Sequence, residues 1–440
     1  MFLPESVQYC IQALEAAGFQ AYCVGGCVRD ALLGLTPNDY DLCTNAVPEQ
    51  ICQVFSAHDL IHAGEKHGTI GVILDHQVYE ITTFRTEGGY TDSRHPDWVR
   101  FVPRVEEDLA RRDFTVNAMA YNPRTGVIDP FGGQQDLQQK VLRAVGEPTA
   151  RFTEDALRIL RGVRFAVRFS LTPDSATLQA MNQLRSGLDK IAKERIFEEL
   201  CKLLPCISAN DLLQYAPVLT QVIPELASSV GFEQHSPHHI YDVFTHTAHV
   251  VEATPKELAL RWAALLHDTG KPQAFYMDED GRGHFPSHAK YSAQIAETVL
   301  TRLKAPTVLR ERVVLLIAQH MTQLEPDMRL LRRRLCQHSE ETVRQMLALQ
   351  HADFDSKGTG TAHEEAVFDQ IEACLEEILA QNACLGLKDL AVNGKDLMAI
   401  GFPADPRLGK CLRQLLEQVL DEQLPNEKEA LLQAAKEYLS

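Results

Sequence analysis

The feature that most constrains this chain is a change of periodicity about a third of the way along it. Up to about residue 145, short β-branched runs alternate with turns: residues 21–24 lead into Gly25-Gly26, and 69–74 and 78–84 flank the polar Asp75-His76-Gln77, the texture of short strands. A helix is expected over 6–17, ending at Gly18 as a helix C-terminus does. From about Glu147 onward apolar residues recur at helical spacing, in 154–169, 194–204, 258–267, 292–303 and 308–320. Pro205, Pro237, Pro255, Pro306 and Pro326 punctuate them, and the polar stretch 355–363 is the clearest hinge. Strands first and helices afterwards exclude alternating βαβ units. The expected fold is multidomain: an α+β head with a small mixed sheet and flanking helices, then all-α domains. The 440 residues suit two to four domains.

No apolar run approaches the roughly 20 residues of a membrane span, and a signal-peptide pattern is not seen. A membrane-spanning or exported protein is therefore not expected. Eleven cysteines without a C-x-x-C pair suit a reducing cytoplasm. A net charge of −17 excludes a diffuse cationic coat for nucleic acid, so any such partner needs a local basic patch. Residues 100–170 supply one: twelve Arg/Lys against nine Asp/Glu. A positive island in an acidic chain is where a polyphosphate would go.

Gly25-Gly26-Cys27-Val28-Arg29-Asp30 follows a strand and opens a helix. Two glycines admit a phosphate close to the backbone, beside free N–H groups, although such a pair is also a common structural turn. Asp39-Tyr40-Asp41, read as extended chain, turns two carboxylates to one side. Paired anions with hard oxygens suit Mg²⁺, and Glu80 can supply a third carboxylate from a neighbouring strand. Such a set can hold two ions, one activating a hydroxyl and one steadying a leaving pyrophosphate; a solvated turn is the plain alternative. Arg111-Arg112-Asp113-Phe114-Thr115-Val116-Asn117-Ala118 sets adjacent guanidiniums where a triphosphate would relieve their repulsion; pairing with Asp108 or Glu107 would do so too. Further on, Asp155 and Arg158 stand three apart on the expected helix, followed by Arg161 and Arg164. A carboxylate that accepts from an amino group, beside a guanidinium that donates to a ring nitrogen, suits cytosine and adenine and rejects uracil and guanine. An i, i+3 salt bridge has the same spacing.

In this order the motifs closely resemble class II tRNA nucleotidyltransferases (CCA-adding enzymes) and the related bacterial poly(A) polymerases. Arg85-Thr86-Glu87-Gly88-x-Tyr90-x-Asp92-x-Arg94-His95-Pro96 is similar to that family's flexible loop, Arg143-Ala144-Val145-Gly146 to its hinge, and the run from Glu194-Arg195-Ile196 to Leu200 to its last neck motif. The resemblance implies Mg²⁺ on Asp39 and Asp41, with Glu80 as third carboxylate. It implies nucleotide binding by Gly25, Gly26, Arg29, Arg111, Arg112, Asp113, Asn117, Asp155, Arg158, Arg161 and Arg164, with CTP and ATP as substrates. It implies a seahorse-like head (1–145), neck (146–230), body (231–380) and tail (381–440). Leu390-Ala391-Val392-Asn393-Gly394 is similar to the tail that meets the tRNA elbow, though Pro403-Ala404-Asp405-Pro406 replaces a Pro-Gly turn common in relatives. The partners implied are the tRNA 3′ end and elbow, with no membrane and no protein partner.

A second constellation follows. His246-Thr247, Leu265-Leu266-His267-Asp268-Thr269-Gly270-Lys271, His288, His320 and Asp353 offer imidazole and carboxylate from several helices, a set suited to a divalent transition metal. It resembles the HD phosphohydrolase superfamily, which implies His246, His267, Asp268 and Asp353 as core ligands. His288 and His320 match the extra histidines of its two-metal members. His235, His238 and His239 read as loop residues, one of which can reach the metal. The implied reaction is CCA addition with release of pyrophosphate by two-metal catalysis. Alternatives are A-adding, CC-adding or poly(A)-adding enzymes, or an HD phosphodiesterase with an RNA-binding head.

Overall fold

The computed structural model describes residues 1–88, 98–237, 239–358, 362–381 and 383–438. The chain divides into two compact units, one of residues 1–224 with 302–305 and the other of 225–301 with 306–440. Among the described residues no helix is long and apolar enough to cross a membrane.

The first unit begins with a helix, Glu5–Ala16, that ends before Gly18 at φ +90°. Its strands are β1 (Ala21–Val24), β2 (Leu42–Thr44), β3 (Leu60–Ile61), β4 (Thr69–Leu74), β5 (Gln77–Thr83), β6 (Arg85–Gly88), β7 (Trp98–Phe101), β8 (Ala120–Asn122) and β9 (Gly126–Ile128). Seven form a sheet in the order β3-β4-β5-β2-β1-β8-β9. Only the β2–β5 pair in it is parallel, so the sheet is mixed. β6 and β7 pair separately; the loop expected between them falls largely on 89–97, outside the described residues. One apolar cluster joins the sheet (Tyr22, Val24, Cys43, Ala120) to Phe84, Val105 and Leu109 of the following chain.

This topology gathers chemistry at one end of the sheet. β1 runs antiparallel to β2 and β8, so the end of β1 meets the beginnings of the other two. Gly25-Gly26, Asp41 and the segment before β8 therefore converge, tied by Val24 N to Asp41 O and Gly25 N to Met119 O, both 3.0 Å. The parallel register Leu42↔Ile81, continued by one step, sets Glu80 beside Asp41.

Apart from a short parallel pair, Val141–Leu142 with Thr172–Pro173, the remainder of this unit is helical, with one departure from expectation. Residues 154–169 are not one helix: Pro148–Glu154 stops, Asp155 is extended (φ −142°, ψ 102°), and a new helix runs Leu157–Phe169. The break exists because the Asp155 carboxylate accepts from Leu157 N at 3.0 Å, an aspartate capping the second helix rather than continuing the first. That second helix packs on Lys193–Leu203, where Arg164 Nε donates to Glu199 Oε2 at 2.6 Å and both side chains are nearly inaccessible.

In the second unit the helices Val243–Ala253, Leu258–Leu266, His288–Arg302, Thr307–Gln319 and Glu340–Asp355 carry the histidine and aspartate positions singled out above. Beyond Ala362–Ala380, a second apolar cluster (Val392, Leu397, Leu415, Leu431) holds the helices Gly394–Ala399, Pro406–Leu420 and Lys428–Glu437 together. Asp405, where a Pro-Gly turn had been in question, caps Pro406–Leu420 by accepting from Arg407 N.

Glu199→Ala leaves Arg164 buried without its counter-charge. A loss of roughly 3–5 kcal/mol is expected, read as a lowered urea midpoint with unchanged slope; an unaltered midpoint would show that the pair holds nothing.

Candidate functional site

At the head, Gly25 has φ +77° and ψ −124°, a conformation open only to glycine without strain. A Cβ there would lie 2.6 Å from Arg112 Nη1, so the missing side chain is the space the guanidinium occupies. Gly26 starts the helix Gly26–Leu32.

Asp39 and Asp41 precede β2 instead of lying within a strand, although the Asp41 carbonyl still accepts from Val24 N and continues the β1–β2 pairing by one residue. The protein around the Asp41 carboxyl thins its hydration and pushes it above the ordinary carboxylate range, although the residue keeps an open face to solvent. The Arg112 charge opposes that rise and the Asp39 charge adds to it. Two neighbouring carboxylates, Asp41 with the Arg112 charge at hand, suit a hard divalent cation. Asp39, Asp41 and Glu80 do not, however, form a trio with oxygens within 4.8 Å of one another; among the described residues only the histidine–aspartate sets below do so.

The arginines expected to greet a nucleotide are mostly engaged within the protein. Arg29 is buried, donating to Asn117 Oδ1 at 2.5 Å and Asp30 Oδ1 at 2.6 Å, with its guanidinium 4.2 Å from the Phe169 ring centre. Arg111, for which ligand relief and ion pairing were both open, pairs with Asp108 at 2.9 Å and Glu87 at 3.1 Å. Asp113 takes Arg161 at 2.7 Å and Asn117 at 3.0 Å. Burial, the largest single influence, would raise Asp113, but Arg161, Asn117 and Arg158 together outweigh it and hold the carboxyl at about 2. Arg112 differs: its nearest carboxylate oxygen, Asp108 Oδ2, is 3.6 Å away, and its Nε is buried without a hydrogen-bond partner.

Asp155 and Arg158 do not share one helical face, because the break at 155 separates them. Asp155 Oδ2 accepts from Arg195 at 3.0 Å, while Arg158 donates to Glu154 at 2.8 Å and to the Arg111 carbonyl at 3.1 Å. No salt bridge joins the two, so the plain i, i+3 reading is set aside. Among the holding partners, Asp108 stands as the pairing alternative expected for these arginines, whereas Glu154, Glu199 and Arg195 have no individual role expected from the residues alone. Their signal, a carboxylate or guanidinium near an apolar stripe, is too common to single out.

In the second unit six side chains from five helices and their ends meet. His246 Nε2 is 2.9 Å from Asp353 Oδ1, His267 Nε2 3.2 Å from Asp268 Oδ2, and His288 Nε2 3.4 Å from Asp268 Oδ1 and 3.2 Å from His320 Nε2. Each of the four Nδ1 atoms faces a backbone carbonyl: Ser356 at 3.3 Å, Ala264 at 2.8 Å, Phe285 at 2.8 Å and Ile317 at 2.7 Å. Those carbonyls require Nδ1–H, which in a neutral ring leaves the Nε2 lone pair turned inward. A lone pair against a carboxylate oxygen repels, so a proton or a metal ion must stand between them. Two three-ligand sets result, His246/His267/Asp268 and Asp268/His288/His320, sharing Asp268. His267 Nε2 is buried without a hydrogen-bond partner, and the buried Asp268 Oδ2 has the Lys271 ammonium 2.7 Å away as its ion-pair partner. The donor set therefore fits divalent metal.

Burial works against charge on His267, yet Asp268 and Asp353 hold it up at about 10. Burial and the His267 charge push His320 down to about 4. Lys271 Nζ lies 2.7 Å from Asp268 and Lys357 Nζ 2.9 Å from Asp353. His239, read as a loop residue, comes within 5.1 Å ring-to-ring of His246, with Nδ1 buried and unpartnered, whereas His235 is exposed. His238 lies outside the described residues.

Residues 21–143 match the family model described as "Poly A polymerase head domain", 170–229 "Probable RNA and SrmB- binding site of polymerase A", and 284–435 "tRNA nucleotidyltransferase domain 2". The CCA-adding enzyme of Latilactobacillus sakei is 36% identical over 97% of this chain and 96% of its own length. That of Levilactobacillus brevis is 36% identical over 98% of each. The crystal structure of the Bacillus stearothermophilus CCA-adding enzyme in complex with CTP is 28% identical at a TM-score of 0.75, covering 99% of this chain and 98% of that one. The chain belongs to the CCA-adding enzyme family.

Gly25→Ala puts a methyl group into the Arg112 guanidinium and strains the turn, at a cost of about 1–3 kcal/mol. We expect nucleotide KM to rise while the far-UV spectrum is kept; wild-type KM with a wild-type melting point would show that the glycine is replaceable.

Proposed function

We propose that this chain adds C and A residues to the 3′ end of tRNA from CTP and ATP, releasing pyrophosphate. The observation that carries the reading is the sheet end where Asp39, Asp41, Gly25-Gly26 and an incompletely paired Arg112 meet, in a chain alike to CCA-adding enzymes over nearly its whole length. The tRNA 3′-hydroxyl attacks the α-phosphorus; the new P–O bond forms as the bond to pyrophosphate breaks. Asp39 and Asp41 would hold Mg²⁺, which when bound polarises the phosphate and eases deprotonation of the hydroxyl. Gly25 leaves room for the Arg112 guanidinium against the backbone, and Arg112 gives the triphosphate a cation with hydrogen bonds to spare. Asp155 offers the amino group of cytosine or adenine the lone pairs that Arg195 and Leu157 leave over, and Arg158, across the helix break, is the donor for the ring nitrogen, which requires it to turn from Glu154 toward the same base. The eleven cysteines, all free thiols, fit a reducing cytoplasm.

The test is incorporation into tRNA lacking its terminal CCA, with Mg²⁺ and each nucleotide singly and together. Asp41→Ala is expected to lower incorporation by about a hundredfold or more without loss of fold. Full activity in that variant, or extension by UTP and GTP as readily as by CTP and ATP in wild type, would overturn the proposal.

A second reading is favoured by the inward Nε2 lone pairs of the helical unit: a dinuclear phosphohydrolase centre held by His246, His267, Asp268, His288, His320 and Asp353. There a metal-polarised water would cleave phosphoesters. Because Asp268 is common to both ligand sets, Asp268→Ala should lose both equivalents of Mn²⁺ or Ni²⁺ in equilibrium dialysis, whereas His288→Ala should lose one. Nucleotide addition by the head is expected to survive both. Equal stoichiometry in all three proteins would refute the shared-ligand centre.

A further inference from the structure

Asp108 lies in the helix Val105–Ala110 and is 1% exposed. Its Oδ1 accepts from Arg111 Nε at 3.0 Å and Nη2 at 2.9 Å, and from the Arg85 backbone N–H at 3.2 Å. Its Oδ2 has no hydrogen-bond partner, although Arg112 Nη2 stands 3.6 Å away and Arg112 Nε is likewise buried and unpartnered. A buried carboxylate oxygen with Arg112 Nη2 just beyond hydrogen-bond range, beside an Arg112 Nε that is itself buried and unpartnered, is a costly arrangement for a merely structural pair. It is what results when one guanidinium is drawn two ways. On its other side, Arg112 fills the space above Gly25, and its charge reaches Asp41.

We infer that Asp108 is a positioning residue for the triphosphate: it spends one oxygen locking Arg111 and uses the charge of the other to steer Arg112 over Gly25, its N–H groups turned toward the phosphates. The inference rests on the function proposed for the head. Glu87, also on Arg111 at 3.1 Å, completes the neutralisation of that arginine, so the cation left to meet an incoming polyanion is Arg112. Simple charge counting predicts that removing a carboxylate beside a polyanion site tightens binding. Positioning predicts the reverse, because a guanidinium that has lost its anchor must be ordered by the ligand at entropic cost. As phosphates carry no base identity, CTP and ATP should be affected alike.

The experiment measures equilibrium binding of magnesium pyrophosphate to the full-length chain by calorimetry, alongside CTP and ATP incorporation. The proteins are wild type, Asp108→Asn, Arg112→Lys and the double variant. Asp108→Asn keeps the side-chain shape while removing the charge. Pyrophosphate affinity is expected to fall about tenfold or more in each single variant and little further in the double, the non-additivity of groups acting as one unit. The CTP-to-ATP ratio of incorporation should be unchanged. Unchanged or tighter pyrophosphate binding in Asp108→Asn, or losses that simply multiply in the double variant, would overturn the assignment. Should wild type bind no pyrophosphate and incorporate no nucleotide, the proposed head function falls as well; binding intact in wild type and untouched in Asp108→Asn sinks the positioning role alone.

Discussion

A guanidinium cannot be taken out of water without a counter-charge or a full set of acceptors, and the first unit is built around that requirement. The strip from Arg111 to Arg164 places cations against apolar packing, and fixed carboxylates answer most of them: Asp108 and Glu87 for Arg111, Glu154 for Arg158, Asp113 for Arg161, and Glu199 for Arg164. The basic island is therefore less a loose positive cloud than a lattice of neutralised pairs. Its directed excess is concentrated where the lattice is incomplete, at Arg112 beside Gly25 and Asp41. A polyanion arriving there meets a preset donor rather than a flexible one, which lowers the ordering cost of binding.

The helical unit solves the opposite problem. Two carboxylates, Asp268 and Asp353, are enclosed among imidazoles, with Lys271 and Lys357 as the nearby ammonium groups. Backbone carbonyls select one tautomer for all four histidines, because a carbonyl can only accept. Orientation thus comes from the main chain, which is rigid, and leaves the inner nitrogens for a ligand. Three of these carbonyls, of Ala264, Ile317 and Ser356, stand in or just past the last turn of a helix, where the intrahelical ladder runs out, while that of Phe285 comes from the loop before His288.

Much of this was legible in the residues. The strand at 21–24 and that at 69–74 appear with the expected bounds, and helix ends fall within a few residues of the periodic runs, because alternation and 3.6-residue spacing record which faces are buried. His267-Asp268 was recognisable as a helix terminus for the same reason. The helix expected across residues 154–169 was misread because apolar spacing continues through Asp155 while the side chain caps its own backbone, a local hydrogen bond that periodicity does not register. Likewise the D-x-D pair was placed in a strand, whereas the strand begins only at Leu42.

The amino-acid sequence by itself determined the order of architectures, the inventory of acids, bases and glycines, and the family to which that order belongs. These are local or linear properties, written in spacing along the chain. Tertiary structure alone decided which charge answers which. Asp155 turns to Arg195, forty residues on, and His246 to Asp353, more than a hundred residues on. Partnership across such separations is set by how helices pack, so of several neighbouring arginines, packing alone decides which one keeps hydrogen bonds to give.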